Sequence, residues 1–247
     1  MTERGAGALL RSRDDFAVGP SALHWDGGGL DIDIDEFCAP FPRRLIGHVR
    51  LDVETINSRT FELEPVGRHV WRPIAPLARV TVNMSQPALR WRGHAYFDTN
   101  RGAEPLEAGF REWHWSRARL ANRGNIGDQA RIFYDADKRR GGQAALSLIF
   151  DARGGLVERP APGFVRLPNS QWRLPRLVRS EDEARVISTL EDAPFYARSH
   201  IAHRIDGEQA QSVHESLDLD RFASPVVKAM LPFRMPRVRG PVARKEE

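Results

Sequence analysis

Three stretches concentrate side chains that can move protons next to aromatic rings: GRHVWRPIAP (67–76), WRGHAYFDTNRGAEPLE (91–107) and FREWHWSRA (110–118). Within them His69 stands two residues before Trp71, Tyr96 two before Asp98, His94 two before Tyr96, and Trp113 two before Trp115. Strand side chains alternate faces, so residues i and i+2 point the same way. On strands, His69 and Trp71 would share one face and His94, Tyr96 and Asp98 another. Aromatic faces stabilise positive charge, and a carboxyl in apolar surroundings tends to keep its proton and can donate it. The combination suits chemistry on an apolar substrate that passes through a cation. Periodicity alone also allows a plainer arrangement, with Trp91, Gly93, Ala95 and Phe97 facing the core and His94, Tyr96 and Asp98 in water. Trp113 and Trp115 fit packing or a pocket wall equally well.

The elements that must hold these residues are strands. GGLDIDIDEF alternates Leu30, Ile32 and Ile34 against Asp31, Asp33 and Asp35. LARVTVNM, RIFYDAD, AALSLIF, ARVISTLE and SVHESLDLDRF are further strand-like runs, and DGGG, RGN, KRRGG, ARGG and IDGE punctuate them as turns. Many short strands separated by turns predict an all-β barrel or sandwich. Helix is expected chiefly at Ser224–Leu231, with Ser224 as N-cap and Pro225 in the first turn. The turn-rich segment Thr99–Gly109 marks a boundary between an N-terminal β-domain, 1–108, and a C-terminal one, 109–247.

Composition bounds the partners. The chain has 247 residues with a net charge of +4, and all but three of its 37 basic residues are arginine. The arginines are spread among 33 acidic residues, and no helix-turn-helix, zinc-finger or RNA-recognition signature accompanies them, so nucleic acid is not an expected partner. RLPRLVRS (173–180) and RMPRVRGPVARK (234–245) are candidate basic patches for anionic headgroups, or else solvated surface and tail. No apolar run approaches the ~20 residues of a membrane span, and the opening MTERGAGALLRSRDD lacks a signal-peptide core. A cytoplasmic location is expected, and the lone Cys38 fits a reducing compartment.

Other motifs fail on inspection. Asp31-x-Asp33-x-Asp35 starts like a calcium loop, but Glu36 stands where the turn glycine belongs and Pro42 where the bidentate glutamate belongs. His200 and His203 would point to opposite faces of a strand, so no metal is expected there. No nucleophile elbow and no glycine-rich phosphate or dinucleotide loop occurs.

The sequence resembles the carotenoid 1,2-hydratases, or hydroxyneurosporene synthases. MTERGAGAL, GPSALHWDGGGLDIDIDE, PFPRRLIGHVRL, TLEDAPFYARS, HESLDLDRFASP and LPFRMPR carry the likeness beyond the aromatic stretches, over almost the whole chain. The resemblance implies two lipocalin-like antiparallel β-domains and a cofactor-free, metal-free enzyme that hydrates the terminal C1=C2 bond of acyclic carotenoids such as neurosporene and lycopene. It places the family's His-x-Trp pair on His69 and Trp71 and its Tyr-x-Asp pair on Tyr96 and Asp98. Asp98 is then the expected acid, Trp71 and Tyr96 the cation stabilisers, and His69 the water-handling or orienting group. His94, Trp113 and Trp115 are expected against the substrate, and His94, Glu104 and Asp135 are the alternative acids. The substrate implies peripheral contact with the inner membrane, from its cytoplasmic side. Family members normally carry a further segment ahead of MTERG, and a chain starting there is expected to leave a sheet edge open. Two rival readings share the same pocket: a non-catalytic carrier of lipids or terpenoids, and a polyene cyclase that excludes water. The sequence sets no oligomeric state.

Overall fold

The computed structural model describes residues 4–38, 41–64, 67–121 and 128–234. Its strands are β1 (Leu9–Arg11), β2 (Asp15–Val18), β3 (Ser21–Trp25), β4 (Gly29–Phe37), β5 (Arg44–Asp52), β6 (Phe61–Glu62), β7 (His69–Gln86), β8 (Leu89–Gly102) and β9 (Phe110–Leu120). They continue with β10 (Gln129–Lys138), β11 (Gln143–Asp151), β12 (Leu156–Glu158), β13 (Phe164–Leu167), β14 (Arg176–Arg179), β15 (Arg185–Asp192), β16 (Tyr196–Ile205) and β17 (Glu208–Asp218). Helix is confined to α1 (Leu106–Gly109), α2 (Leu219–Ala223) and α3 (Pro225–Arg234) among the described residues. The fold is therefore all-β and antiparallel, as the strand periodicity predicts. No helix among the described residues is long and apolar enough to cross a membrane.

The chain divides into two compact units. The first takes the stretch ending at Glu54, then Ala78–Tyr96, then the chain from Lys228; the second takes Thr55–Leu77 and Phe97–Val227. β7 and β8 each pass from one unit to the other, so the expected boundary at 108/109 falls inside the second unit. Both strands run continuously through the changeover, so nothing in the strand-like sequence marks it.

In the first unit the strand order is β1-β2-β3-β4-β5-β7, with β1 at an edge. The aspartates of β4 face a cationic ladder on β5, with Asp31 opposite Arg50 and Asp33 opposite His48. Arg50 reaches Asp26 and Asp31 at 2.7 Å and Asp52 at 3.0 Å. His48 bridges Asp31 at 3.1 Å and Asp33 at 3.0 Å. The hydrogen bond from Arg50 holds the Asp26 carboxyl far below the usual carboxylate range. Alternating aspartates thus form the polar face of a half-buried strand, satisfied by cross-strand cations.

In the second unit seven strands run β12-β11-β10-β9-β17-β16-β15, with β13–β14 as a separate hairpin. Asp206 and Gly207, both at positive φ, make the tight turn from β16 to β17, as IDGE signalled. The run SVHESLDLDRF stays extended only to Asp218. There the Asp218 carboxylate accepts the backbone N–H of Arg221 and caps α2, so the residues that follow, expected as strand, are helical. Pro225 opens α3 where the sequence placed it.

RLPRLVRS does not form a basic surface. Leu174, Arg176, Val178 and Ser180 are all buried. Arg176 donates to Pro168 O at 2.7 Å and Ser199 Oγ at 2.8 Å, and Arg179 pairs with Asp135 at 2.7 Å. Alternate residues of this stretch point inward, and their guanidinium groups satisfy interior acceptors. The second basic segment, apart from Arg234, lies outside the described residues, as does the RGN turn.

Histidines share this interior. His203 is held between Arg179 O at 3.0 Å and Ser212 Oγ at 2.7 Å, hydrogen bonds that occupy both ring nitrogens. His114 meets Ser216 Oγ at 2.9 Å, and His214 meets Leu177 O at 2.9 Å. Burial pulls His114 down to about 4 and His214 down to about 3, against an ordinary value of about 6.5. Between those values the unfolded chain binds protons that the folded chain refuses. Stability is therefore full above about pH 6.5 and falls as pH drops toward 4. Thermal melts should show a midpoint that declines through this window, by roughly 2–4 °C per kcal/mol lost. His114→Asn, which keeps a hydrogen-bonding group toward Ser216 but does not titrate, should flatten the profile. An equally steep profile in that variant would assign the acid sensitivity to other groups.

Candidate active site

The site grows from the first residues of β7. His69 and Trp71 lie two apart and both are buried, with no exposed surface left on Trp71. Such a side chain must pair its indole N–H. It donates to Asp98 Oδ2 on β8 at 2.8 Å. Asp98 therefore does not stand in open water, as the plainer periodicity reading had it, while Trp91, expected inside on that reading, is exposed. Two residues on, Asn100 Oδ1 accepts a hydrogen bond from the Tyr134 hydroxyl at 3.3 Å. Two ring donors thus meet two consecutive same-side acceptors of β8.

The rings stack into one wall. Trp71 lies between Phe61, centroids 5.4 Å apart, and Tyr134, 5.1 Å. Trp113 is 6.0 Å from Tyr134 and 6.5 Å from Phe110, and His69 meets Phe110 at 4.8 Å, edge on. Burial, reinforced by the neighbouring Asp98 carboxylate, raises the Tyr134 hydroxyl well above its ordinary value, so it stays a donor.

His69 sits in a cradle that needs two glycines. A Cβ at Gly102 would lie 2.7 Å from its Nδ1, and one at Gly109 would lie 2.8 Å from its Nε2. No side chain fits at those distances. His69 Nε2 lies 3.6 Å from Glu104 Oε1, and both atoms are buried without a hydrogen-bond partner. Both residues border a cavity of about 90 Å³ with Asn100, Phe110, Trp113 and Tyr134. A cavity of this size with buried polar atoms of His69 and Glu104 on its rim has room for water. Glu64, His69 and Glu104 bring ligand atoms within 4.8 Å of one another. The carboxylates already face guanidinium groups: Glu64 is paired with Arg68 at 3.0 Å, and Glu104 lies near Arg68 and Arg140 at 3.6 and 3.7 Å. A cation would have to compete with these arginines.

Of the sequence-predicted site residues, His69 and Trp113 border this cavity; Trp71 and Asp98 do not line it and join it through the contact of Trp71 with Tyr134. Trp115 is buried but does not border it. Tyr96 is half-buried on β8 and belongs to the first unit, like His94, which is exposed. His94 borders a different depression, with Asp52, Arg79, Thr81 and Arg92. Asp135, an alternative acid, is committed to Arg179, although burial pushes its carboxyl up. Sequence reasoning missed Phe110, Asn100 and Tyr134. Tyr134 lies in RIFYDAD, which reads only as a central strand, and nothing local says that its ring meets Trp71.

Antiparallel strands with little helix among the described residues, and an aromatic-walled site, define an all-β protein of lipocalin-like type. The fold is similar to the 2.00 Å crystal structure of a Nitrosomonas europaea protein assigned as AttH, with a TM-score of 0.58, 13% identity, and coverage of 87% of this chain and 72% of that one. At that identity the likeness concerns the fold alone. The family model for carotenoid hydratase CrtC matches residues 1–244, and the chain belongs to that family. It is 51% identical to the acyclic carotenoid 1,2-hydratase of Thiocapsa roseopersicina over 97% of this chain and 58% of the relative. It is 43% identical to that of Rubrivivax gelatinosus, over 96% and 58%, and 39% to that of Rhodobacter capsulatus, over 97% and 84%. The chain thus spans 58% of the length of the first two relatives.

The cradle makes a test of the geometry. Gly109→Ala should displace the His69 ring and lower stability by about 1–3 kcal/mol, the usual cost of overpacking, measured by denaturant unfolding. A neutral effect would mean that the ring is not held by this contact.

Proposed function

We propose that this chain hydrates the terminal C1=C2 double bond of an acyclic carotenoid such as neurosporene or lycopene, in carotenoid biosynthesis. The observation that carries the reading is the Asp98 carboxyl held by the indole of a fully buried Trp71, against a wall of aromatic rings. Family membership and the hydratase names of the relatives support the same reaction class.

The reaction needs an acid strong enough to protonate an alkene, a surface that tolerates a cation, and one placed water. Asp98 gives a proton to C2, and the positive charge falls on tertiary C1. The Trp71 N–H donates to Oδ2 and orients the carboxyl. A polyene that displaces water from around the carboxyl favours its protonated form. The ring faces of Trp71, Tyr134 and Trp113 stabilise the cation, each by about 0.5–2 kcal/mol. Water in the cavity beside His69 and Glu104 attacks C1 through oxygen and loses a proton to His69. Glu104 stabilises the imidazolium that results; His69 then releases its proton to solvent, and solvent returns one to Asp98. The sum is alkene plus water giving a tertiary alcohol, with no change in oxidation state, so the chemistry calls for no redox cofactor. Tyr96 lies two residues before Asp98 on the same strand. The substrate dissolves in bilayers, so the protein works as a peripheral protein at the cytoplasmic face of the inner membrane.

Asp98→Asn keeps the shape and the indole partner but removes the proton. Hydration of neurosporene should fall by about 10²–10⁴-fold while the fold survives. Trp71→Phe should cost less, because it keeps a π face and loses only the orienting N–H. His69→Ala should fall between them. The assay is pigment conversion in water labelled with heavy oxygen, followed by mass spectrometry of the hydroxyl. Near wild-type turnover in Asp98→Asn would move the acid elsewhere. A product without the label would favour a cyclase, and bound but unchanged carotenoid a carrier.

A further inference from the structure

The first unit carries an apolar and basic end that the proposed chemistry does not use. Phe37 pairs with Arg44 where β4 turns into β5, and Ile46 pairs with Gln86 where β7 approaches its turn into β8. Both connections therefore lie at the same end of the sheet. Phe37 is 40% exposed, Phe41 73%, Leu89 49% and Trp91 47%, which leaves a large share of each apolar side chain in water. The surrounding sequence is FCAPFPRR at one connection and QPALRWR at the other, with four arginines and no acidic residue. Arg43, Arg44, Arg90 and Arg92 are all exposed. The nearest carboxylates are already matched, Asp35 by Arg44 and Glu36 by Arg4. Aromatic rings alternating with arginines on two adjacent strand ends match the layer where lipid headgroups meet acyl chains.

We infer that this end docks on an anionic lipid surface, with Phe41, Leu89 and Trp91 entering the acyl boundary and Arg43, Arg90 and Arg92 facing phosphate. The excess positive charge selects lipid over a second copy of the chain, whose matching end would repel it. The inference rests on the reading that the substrate is a membrane-dissolved polyene, which supplies the reason for the contact. It also moves the expected lipid contact away from RLPRLVRS, whose alternate residues are buried.

Cys38 is the only cysteine and is exposed at this end, so the unmodified chain can carry one environment-sensitive fluorophore there. The labelled protein should show a blue-shifted emission and co-sediment with phosphatidylcholine vesicles that contain phosphatidylglycerol, and salt should reverse both. Phe41→Ser should remove the blue shift. Arg43→Gln with Arg92→Gln should weaken partitioning by roughly 25-fold, at about fivefold per arginine. Binding that ignores phosphatidylglycerol, or that survives both substitutions, would overturn the inference. A blue shift that appears with protein concentration alone would overturn it too, by placing a second copy at this end. Hydration of detergent-dispersed carotenoid separates the two proposals. Activity in micelles without vesicle binding removes the docking surface and keeps the hydratase, whereas vesicle binding without hydration does the reverse.

Discussion

The hydrogen bond from Trp71 to Asp98 organises the site. An indole with no exposed surface cannot leave its N–H unpaired, because an unsatisfied buried donor costs about 1–3 kcal/mol. The Asp98 carboxylate answers that need at 2.8 Å. In return the carboxyl is fixed in direction and placed against aromatic faces. Phe61 and Tyr134 hold the indole from either side, so the acid's position depends on packing from three separate parts of the second unit. The same bond ties β7 to β8 in the second unit, near the places where each strand passes into the first.

Around that bond the second unit buries many polar groups. Arg176, Arg179 and His203 are tied to backbone carbonyls, serines or Asp135. Such a network is costly to bury in part and stable only when its members are paired. His69 Nε2 and Glu104 Oε1 depart from that rule, being buried without partners on the rim of a small cavity. Other buried polar atoms of this unit, such as His114 Nε2 and His214 Nδ1, also go without a partner, but His69 Nε2 and Glu104 Oε1 are of complementary character, lie 3.6 Å apart and border one cavity, where a third polar molecule could join them. The first unit manages charge differently, with aspartates on β4 answered by Arg50 and His48 across a solvent-facing ladder.

Much of this was readable from the residues. Alternation in GGLDIDIDEF specifies a strand with one wet face, because only a period of two sorts three aspartates from three aliphatics. Ser224–Pro225 specifies a helix start by removing an N–H that a first turn does not need, and IDGE specifies a turn through backbone conformations that few other residues adopt. His69 and Trp71 could be paired by their spacing, and so could Tyr96 and Asp98.

Tertiary structure decided the rest. Trp71 and Asp98 are 27 positions apart and Tyr134 lies a further 36 along, and no local pattern encodes which ring meets which carboxyl. Gly102 and Gly109 look like ordinary turn residues until the His69 ring is seen against both. RLPRLVRS looks like a basic surface until its alternate residues turn inward to satisfy the interior. The division of β7 and β8 between two units is invisible to periodicity, since a strand keeps its period of two whichever unit it joins. A sequence sets the local conformations and the choice of buried faces through short-range sterics and hydrophobic alternation. Partners distant along the chain, and the close approach that forbids a single methyl group, are set only when the strands pack.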